Sequence, residues 1–487
     1  MSKVWLVGAG PGDPLLITLR GRDALAQADV VLYDHLAPSA LLRHVPKHCE
    51  QVYVGKKRSA HACSQAEIID LLLEHARQDR KVVRLKGGDP YLFGRGGEEA
   101  EALAAAGISF EVVPGVTAPL GIAAYTGVPL THRDLASSVT FITGHDVARV
   151  DWEQAARSGT LVVFMGVQHL PEIVERLAMA GKAAETPAMA VRWGTRSDQQ
   201  VVAGRLGDLP LLVRRARLLP PATLVIGDVV ALRHQLDWRS KLPLTGKRVI
   251  LTRAHEQAHE LSQALRELGA DPLELPVIEL RPVPDPTAIT EAVARLPEYH
   301  WVVFTSVNAV QHFLTHIRDL RRIRGRVCAI GPATADALAS ARLEPDLVPA
   351  TSSSEGVAEA FRDVALERAS VLLPRAAEAR DIIPQALQAA GAHVDVVDLY
   401  RNVVPEGAAS AIDAWKSAGG SADWITFTSG STVKNWLALA GRESLARIRI
   451  ASIGPSTSDV IRRHGLAVDV EADPHTTEGL VAGLLKT

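Results

Sequence analysis

Runs of four or five apolar residues alternate along this chain with helix-length amphipathic stretches. The short runs are Val4–Val7, Val30–Tyr33, Lys81–Leu85, Thr140–Thr143, Leu161–Met165, Arg248–Thr252, Trp301–Thr305 and Val371–Pro374. They are rich in branched aliphatic residues and predict buried strands. The longer stretches, Gln65–Gln78, Gly97–Ala106, Pro171–Ala180, Ala258–Leu268 and Thr432–Ala440, predict helices with one apolar face. Strands alternating with helices predict α/β layers built on mostly parallel sheets.

The alternation lapses from Leu232 to Gly246, a polar segment with no clean period and a proline at position 243, and a new strand begins at Lys247-Arg248-Val249. A chain of 487 residues exceeds a single core, so the lapse predicts a connector between separately folded parts. Beyond it the sequence repeats itself. Trp301-Val302-Val303-Phe304-Thr305-Ser306 matches Trp424-Ile425-Thr426-Phe427-Thr428-Ser429 at an offset of 123 (424 − 301), and Ala329-Ile330-Gly331-Pro332 matches Ser452-Ile453-Gly454-Pro455 at the same offset. Val249–Ala254 matches Val371–Ala376 at an offset of 122 (371 − 249), as Gly269-Ala270 matches Gly391-Ala392. Two copies are too few for a solenoid and predict two similar lobes about a cleft.

Composition narrows the function. The 53 basic and 55 acidic residues leave a formal charge of −2, which offers no field to hold nucleic acid or an anionic membrane. An anionic ligand must then be gripped by local arginines and backbone donors. Cys49, Cys63 and Cys328 form no CxxC pair, and Pro46 separates His44 from His48, so neither a disulfide framework nor a metal site is expected. The chain opens on a strand with no apolar leader, and no run approaches the roughly 20 apolar residues of a membrane span. A reducing cytoplasm is the expected location.

Three glycine-rich segments follow strands: Gly8-Ala9-Gly10-Pro11-Gly12-Asp13-Pro14, Leu85-Lys86-Gly87-Gly88-Asp89-Pro90 and Phe93-Gly94-Arg95-Gly96-Gly97-Glu98-Glu99. Glycines there allow close backbone approach to a ligand, while Pro11 and Pro14 deny the immediate helix start of a Rossmann fingerprint. Read locally, Asp89 is equally a turn residue before Pro90, Asp34 equally a turn or helix cap, and Lys56 with Lys57 and Arg58 equally a solvated basic patch. Together with Val31-Leu32-Tyr33-Asp34, Val54-Gly55-Lys56, Arg84–Glu99, Pro114-Gly115-Val116-Thr117-Ala118, Pro129-Leu130-Thr131-His132-Arg133 and Gly144-His145, the segments resemble the tetrapyrrole methylase family. Within it they resemble uroporphyrinogen-III C-methyltransferase, over about residues 3–240.

This resemblance implies two α/β lobes, about 1–115 and 116–240, with S-adenosylmethionine bound between them and S-adenosylhomocysteine as product. It implies a cofactor site lined by Pro11, Gly87, Gly88, Asp89, Leu92, Thr117, Ala118, Met165 and Gly194. Asp34 and Lys56 would have acid/base roles, and Arg95, Glu98 and Arg133 would touch a substrate bearing eight carboxylates. Association as a homodimer through this half is also implied. The pyrrole β-carbon is itself the nucleophile, so the protein must orient the ring and manage a proton. Two such methylations give precorrin-2, on the sirohaem and cobalamin branch. Charge-assisted hydrogen bonds of roughly 1.5–3 kcal/mol each hold such a substrate without a basic protein overall.

Residues 246–487 resemble the uroporphyrinogen-III synthase family, on Val249–Arg253, Phe304-Thr305-Ser306-Val307-Asn308-Ala309-Val310, Ile330–Thr334, Leu373-Pro374-Arg375, Leu399-Tyr400-Arg401, Phe427–Thr432 and Ile453–Thr457. The expected architecture is thus a two-lobed tetrapyrrole methylase fold followed by a two-lobed α/β synthase fold with internal duplication. One synthase lobe would combine 246–281 with 403–487, and the other would span 282–402. The implied reaction closes hydroxymethylbilane to uroporphyrinogen III, inverting one ring, with no cofactor. Strand-end hydroxyls and arginines are the candidates to grip carboxylates: Thr252, Arg253, Ser306, Asn308, Arg375, Thr428, Ser429, Ser431 and Thr457. Ser306 and Ser429 read equally well as helix N-caps. Tyr400, protonated at its ordinary pKa of about 10, is the candidate to assist the departing hydroxyl, or else a half-buried strand aromatic. The rivals are methylases of other corrinoid, RNA or protein substrates for the first half, and a non-catalytic tetrapyrrole-binding lobe pair for the second.

Overall fold

A computed structural model of the chain describes residues 3–55, 63–417 and 419–487. Lys56, with Lys57 and Arg58, lies outside the described residues. The chain divides into two compact units, Met1–Gly246 and Lys247–Thr487.

The first unit holds two five-stranded sheets. Strands β1 (Val4–Gly8), β2 (Val30–Tyr33), β3 (Glu50–Tyr53), β4 (Val82–Lys86) and β5 (Phe110–Val113) form one, in the order β3-β2-β4-β1-β5, all parallel. Crossover helices cover both faces, which is why β1 and β4 are buried at every residue and read as unbroken apolar runs. Alternate residues of β1 enter opposite cores, Trp5 and Val7 on one side, Val4 and Leu6 on the other. Ser64 and Glu67 form a capping box that starts the helix Gln65–Arg77.

The other sheet contains β6 (Val139–Thr143), β7 (Thr160–Phe164), β8 (Pro187–Arg192), β9 (Gln200–Arg205) and β10 (Ala222–Ile226), in the order β6-β7-β10-β8-β9. Only β6 and β7 run parallel; the β7–β10, β10–β8 and β8–β9 pairs are antiparallel. The expectation of mostly parallel sheets fails here for a local reason. The 193–199 connection between β8 and β9 contains no helix, so nothing carries the chain back to the starting edge.

In the second unit, β11 (Arg248–Leu251), β12 (Asp271–Glu274), β13 (Glu279–Pro282), β14 (Trp301–Phe304), β15 (Arg326–Ala329), β16 (Ser370–Ala376), β17 (His393–Val403), β18 (Trp424–Phe427), β19 (Arg449–Ser452) and β20 (Val470–Glu471) divide between two sheets. One is parallel, in the order β12-β11-β18-β19-β20. The second has the order β13-β17-β16-β14-β15, and only its edge strand β13 is antiparallel. β13 straddles the expected 281/282 break and belongs wholly to the second sheet, through Glu279 opposite Val403 and Pro282 opposite Tyr400.

The internal repeat is structural. Strands β14 and β18 are buried throughout, and each leads into a helix capped by a serine side chain, Ser306 or Ser429. The Val327 N–H donates to Asp346 at 2.7 Å, and the Ile450 N–H to Asp469 at 2.7 Å. Both members of that bond keep the offset of 123 (450 − 327 and 469 − 346).

Candidate functional site

The C-terminal ends of β1 and β4 lie side by side, and their glycine turns join backbone to backbone. The Ala9 N–H donates to the Lys86 carbonyl at 2.7 Å, and the Gly88 N–H to the Gly10 carbonyl at 2.7 Å. A Cβ on Gly8 would lie 2.5 Å from Gly115 Cα and 2.7 Å from the Gly88 carbonyl oxygen. Three backbone segments therefore meet where no side chain fits, and Gly10 and Gly88 hold left-handed φ of +80° and +69°. The Asp89 carboxylate accepts from the Tyr91 N–H at 2.8 Å and the Gly115 N–H at 3.1 Å. It is a turn residue, and at the same time it braces the Pro114–Gly115 loop.

The helix Ala118–Thr126 and the loop after β8 close on these turns. A Cβ on Gly121 would strike Pro11, one on Gly194 would strike Ile122, and the Asp13 N–H donates to Thr195 Oγ1 at 2.9 Å. Gly88 lies against Thr117 and the Ala118 amide. Of the expected cofactor residues, Pro11, Gly87, Gly88, Asp89, Thr117, Ala118 and Gly194 are thus brought together. Leu92 is half-buried in the turn after Asp89. Met165 follows β7 and is 52% exposed, beside Phe164, whose ring packs on Phe93 at 4.8 Å. Among the described residues nine non-glycines have positive φ, and Phe93, Arg95, Met165, Trp193 and Thr195 are five of them. Such conformations concentrate where a ligand site over-determines the backbone.

Asp34 follows β2 and is tied to a buried charge network. Its carboxylate accepts from the Leu36 N–H and from Arg84 Nη2, each at 3.0 Å. Arg84 also reaches Glu99 at 3.3 Å, Lys86 reaches the same Glu99 oxygen at 2.8 Å, and Gln65 reaches it at 3.1 Å. Glu99 is fully buried, and its second carboxylate oxygen has no hydrogen-bond partner among the described residues. Burial, and then the neighbouring Arg84 charge, push the Lys86 amine below its ordinary pKa. Sequence reasoning missed Arg84, Lys86 and Gln65 as site residues and read Glu99 only as part of a glycine turn. The available signal was a pair of cations inside the otherwise apolar strand Val82-Val83-Arg84-Leu85-Lys86.

Arg95 and Glu98 form an exposed bidentate pair at 2.8 and 2.7 Å where the helix Gly96–Ala105 starts. Arg133 is exposed in the turn bounded by the His132–Ala136 bridge, and no described hydrogen bond or ion pair joins it to Asp34 or Arg95.

In the second unit, Tyr400 is 4% exposed, deeper than a half-buried strand aromatic. Its hydroxyl meets Ser306 Oγ at 3.2 Å and the Asn308 side chain, and its ring stacks on His312 at 5.0 Å. Burial pushes its pKa up against those bonds, so it keeps its proton. Ser306 caps the helix Val307–Leu314 through the Ala309 N–H at 3.0 Å, so the cap and the contact to Tyr400 coexist. Asn308 accepts from Gln257, a residue of the other lobe. Thr252 is fully buried with its hydroxyl on the Thr426 carbonyl at 2.7 Å, and Thr457 is buried too. Ser429 caps its helix with Thr432 as the reciprocal partner, while Thr428 and Ser431 are half-buried beside it. Arg253 is mostly buried and reaches Thr477 at 3.4 Å; its repeat mate Arg375 pairs with Asp381 at 2.9 Å and Asp398 at 3.5 Å.

Among the described residues no helix is long and apolar enough to cross a membrane. The family model of the Tetrapyrrole (Corrin/Porphyrin) Methylases matches residues 3–210, and that of Uroporphyrinogen-III synthase HemD matches residues 259–482. The porphyrin biosynthesis protein HemD of Ruminiclostridium josui is 36% identical over 496 aligned positions, covering 99% of this chain and 97% of that protein. Siroheme synthase 1 of Yersinia enterocolitica is 51% identical over 248 residues, which cover 50% of this chain and 52% of that protein, so the chain spans about half the length of the siroheme synthases it matches. A solved uroporphyrin-III C-methyltransferase from Thermus thermophilus, complexed with S-adenyl homocysteine, is 42% identical over 47% of this chain and 99% of that one, with a TM-score of 0.42. A solved uroporphyrinogen III synthase, also from Thermus thermophilus, is 21% identical over 50% of this chain and 97% of that one, with a TM-score of 0.33.

Proposed function

The chain belongs to the family of the porphyrin biosynthesis protein HemD of Ruminiclostridium josui and joins a tetrapyrrole methylase to a uroporphyrinogen-III synthase, and we propose that it performs two successive steps. The second unit closes hydroxymethylbilane to uroporphyrinogen III. The first methylates that product at two ring carbons to give precorrin-2. The observation that carries this reading is the side-chain-free junction of Gly8, Gly88 and Gly115 at the strand ends, walled by Thr117, Ala118 and Gly194.

That cradle fits S-adenosylmethionine: its backbone is bare, and Leu92 and Met165 offer apolar surface beside it. When bound, the cofactor supplies an electrophilic methyl on a sulfonium. Asp34, oriented by Arg84, takes a proton from the methylated ring, and Lys56 is assigned the partner role. Arg95 and Arg133 receive substrate carboxylates, and Glu98 holds the Arg95 fork in place until a carboxylate replaces it. In the second unit, loss of the substrate hydroxyl leaves a cation stabilised by the pyrrole nitrogen. The half-buried Ser306 and Asn308 present polar atoms to it, and the Tyr400 hydroxyl, protonated behind Ser306, supports the departing group. Imposing the folded geometry of the chain is the larger part of the task.

The test is to incubate the full chain with hydroxymethylbilane, with and without S-adenosylmethionine, and to analyse the oxidised porphyrins. The III isomer is expected alone, and dimethylated product with the cofactor. Spontaneous closure gives the uninverted I isomer, so that isomer alone would refute the synthase reading. Cofactor-independent product patterns from supplied uroporphyrinogen III would refute the methylase reading.

A further inference from the structure

The segment expected to be a connector is folded onto the first unit. It forms the short helix Arg233–Leu236 and the turn Arg239–Lys241, and Thr245 Oγ1 ties back to the Arg239 carbonyl at 2.8 Å. A Cβ on Gly127 would collide with the Leu236 backbone, so the segment lies directly on the end of the helix Ala118–Thr126. Trp238 Nε1 donates to the Ala124 carbonyl at 2.8 Å, and its ring meets Tyr125 edge-on at 5.7 Å. The Arg239 guanidinium lies 4.8 Å from the centre of the Tyr125 ring. One of its nitrogens donates to the Arg196 carbonyl at 3.3 Å.

Tyr125 in turn reaches the glycine turn. Its hydroxyl donates to Asp13 Oδ2 at 2.7 Å, while Asp13 Oδ1 accepts the Leu15 N–H at 2.9 Å and the Asp13 N–H is held by Thr195. Burial and the adjoining Asp13 carboxylate push the Tyr125 pKa up, so the hydroxyl remains a donor. Both loops that wall the cradle, Gly8–Pro14 and Gly194–Arg196, thus converge on a side chain and a carbonyl that the connector grips.

We propose that Trp238 and Arg239 are positioning residues for the cofactor site, acting through Tyr125 on Asp13 and through the Arg196 carbonyl, so that occupancy of the cradle is felt along the connector. The inference rests on the assignment of that cradle to S-adenosylmethionine. A clasp that orders the loops lowers the entropy lost when ligand binds. By reciprocity, ligand that orders the loops must also tighten the clasp.

Two measurements on the full chain test it. In the first, Tyr125→Phe and Arg239→Ala raise the KM for S-adenosylmethionine by about five- to twentyfold, the partial transmission of one charge-assisted hydrogen bond, with kcat within about twofold. Arg239→Lys, which keeps the charge over the ring, recovers part of the loss. Ring closure by the second unit is unchanged in all three and reports that the chain is intact. In the second, trypsin cleavage after Arg239 and Lys241 in the unsubstituted chain is slowed by S-adenosylhomocysteine, which requires no variant to fold. A chain that binds S-adenosylhomocysteine with connector cleavage unchanged, or variants with an unchanged KM, would overturn this inference alone. A chain that binds none of it overturns the cofactor assignment and this inference together.

Discussion

The buried network behind Asp34 can be tested by removing one charge and no volume. In Glu99→Gln, Arg84 and Lys86 lose their shared counter-charge inside a strand where every residue is buried. Breaking a buried pair by removing one partner costs about 3–5 kcal/mol, and glutamine keeps an acceptor oxygen, which points to the lower end, about 3 kcal/mol. For a unit of this size each kcal/mol moves the midpoint by roughly 2–4 °C, so the transition of the first unit falls by roughly 6–12 °C at neutral pH. The deficit also has a pH signature. The folded-state pKa of Lys86 already lies below its ordinary 10.5, so the unfolded chain binds more protons in the window beneath that value and stability rises with pH through it. Loss of Glu99 lowers the folded-state value further and extends the window downward. The deficit must therefore shrink as pH rises from neutral toward 10.5. Scanning calorimetry of the full chain gives the midpoints, with hydrogen exchange of peptides over Val82–Lys86 identifying which transition belongs to the first unit. A midpoint within about 2 °C of the parent, or a deficit that grows with pH, would show that the network is not the charge-compensated unit inferred here.

Three further outcomes follow from the same geometry. Gly8→Ala should abolish S-adenosylhomocysteine binding by calorimetric titration and destabilise the first unit by about 1–3 kcal/mol, because the new methyl meets only backbone; unchanged affinity would remove the glycine junction from the site. Tyr400→Phe should slow ring closure while costing only about 0.5–1.5 kcal/mol in urea unfolding, since Ser306 keeps its cap bond; closure at the parent rate would leave Tyr400 a core residue. Glu111, held by Arg20 and then by Lys3, has its carboxyl pulled from 4.5 to about 2. It therefore adds stability above 4.5 that is lost as pH falls through about 2. Glu111→Gln should lower the melting midpoint at neutral pH and converge on the parent as pH falls through about 2, which flattens its acid limb; a limb parallel to the parent's would contradict it.

Central strands were legible because both of their faces are covered. Val30–Tyr33 is found at the bounds its apolar run predicts, and the helix predicted at Gln65–Gln78 ends one residue early behind its serine cap. Edge strands were not legible: β9 is half-exposed along its length, β3 begins with two exposed residues, and β20 is two residues long, so none carries an apolar run. Strand direction in the sheet of β8 and β9 depends on a connection too short for a helix, which periodicity does not encode. At the site, glycine turns announced themselves because only glycine suits those contacts. The network of Arg84, Lys86 and Glu99 did not, because its members lie 13–15 positions apart and meet only when β4 packs against the following helix. The depth of Tyr400 was likewise a property of packing, set by His312 and by the strand around it.

The interleaved topology of the second unit governs the order in which a growing polypeptide acquires structure. Strand β11 sits between β12 and β18, and β18 starts 150 positions after β12 ends (424 − 274). At a synthesis rate of about 5–20 residues per second, the nascent chain spends roughly 8–30 s with one side of β11 unpaired. The strands of the other sheet, β13 to β17, are contiguous between Glu279 and Val403 and need nothing that emerges later. The inserted lobe can therefore condense first on the ribosome, and the outer lobe closes only after β18, β19 and β20 have followed it. A message truncated within that final stretch would leave an open β-edge beside a finished domain, the form of damage that quality-control proteases and aggregation both recognise.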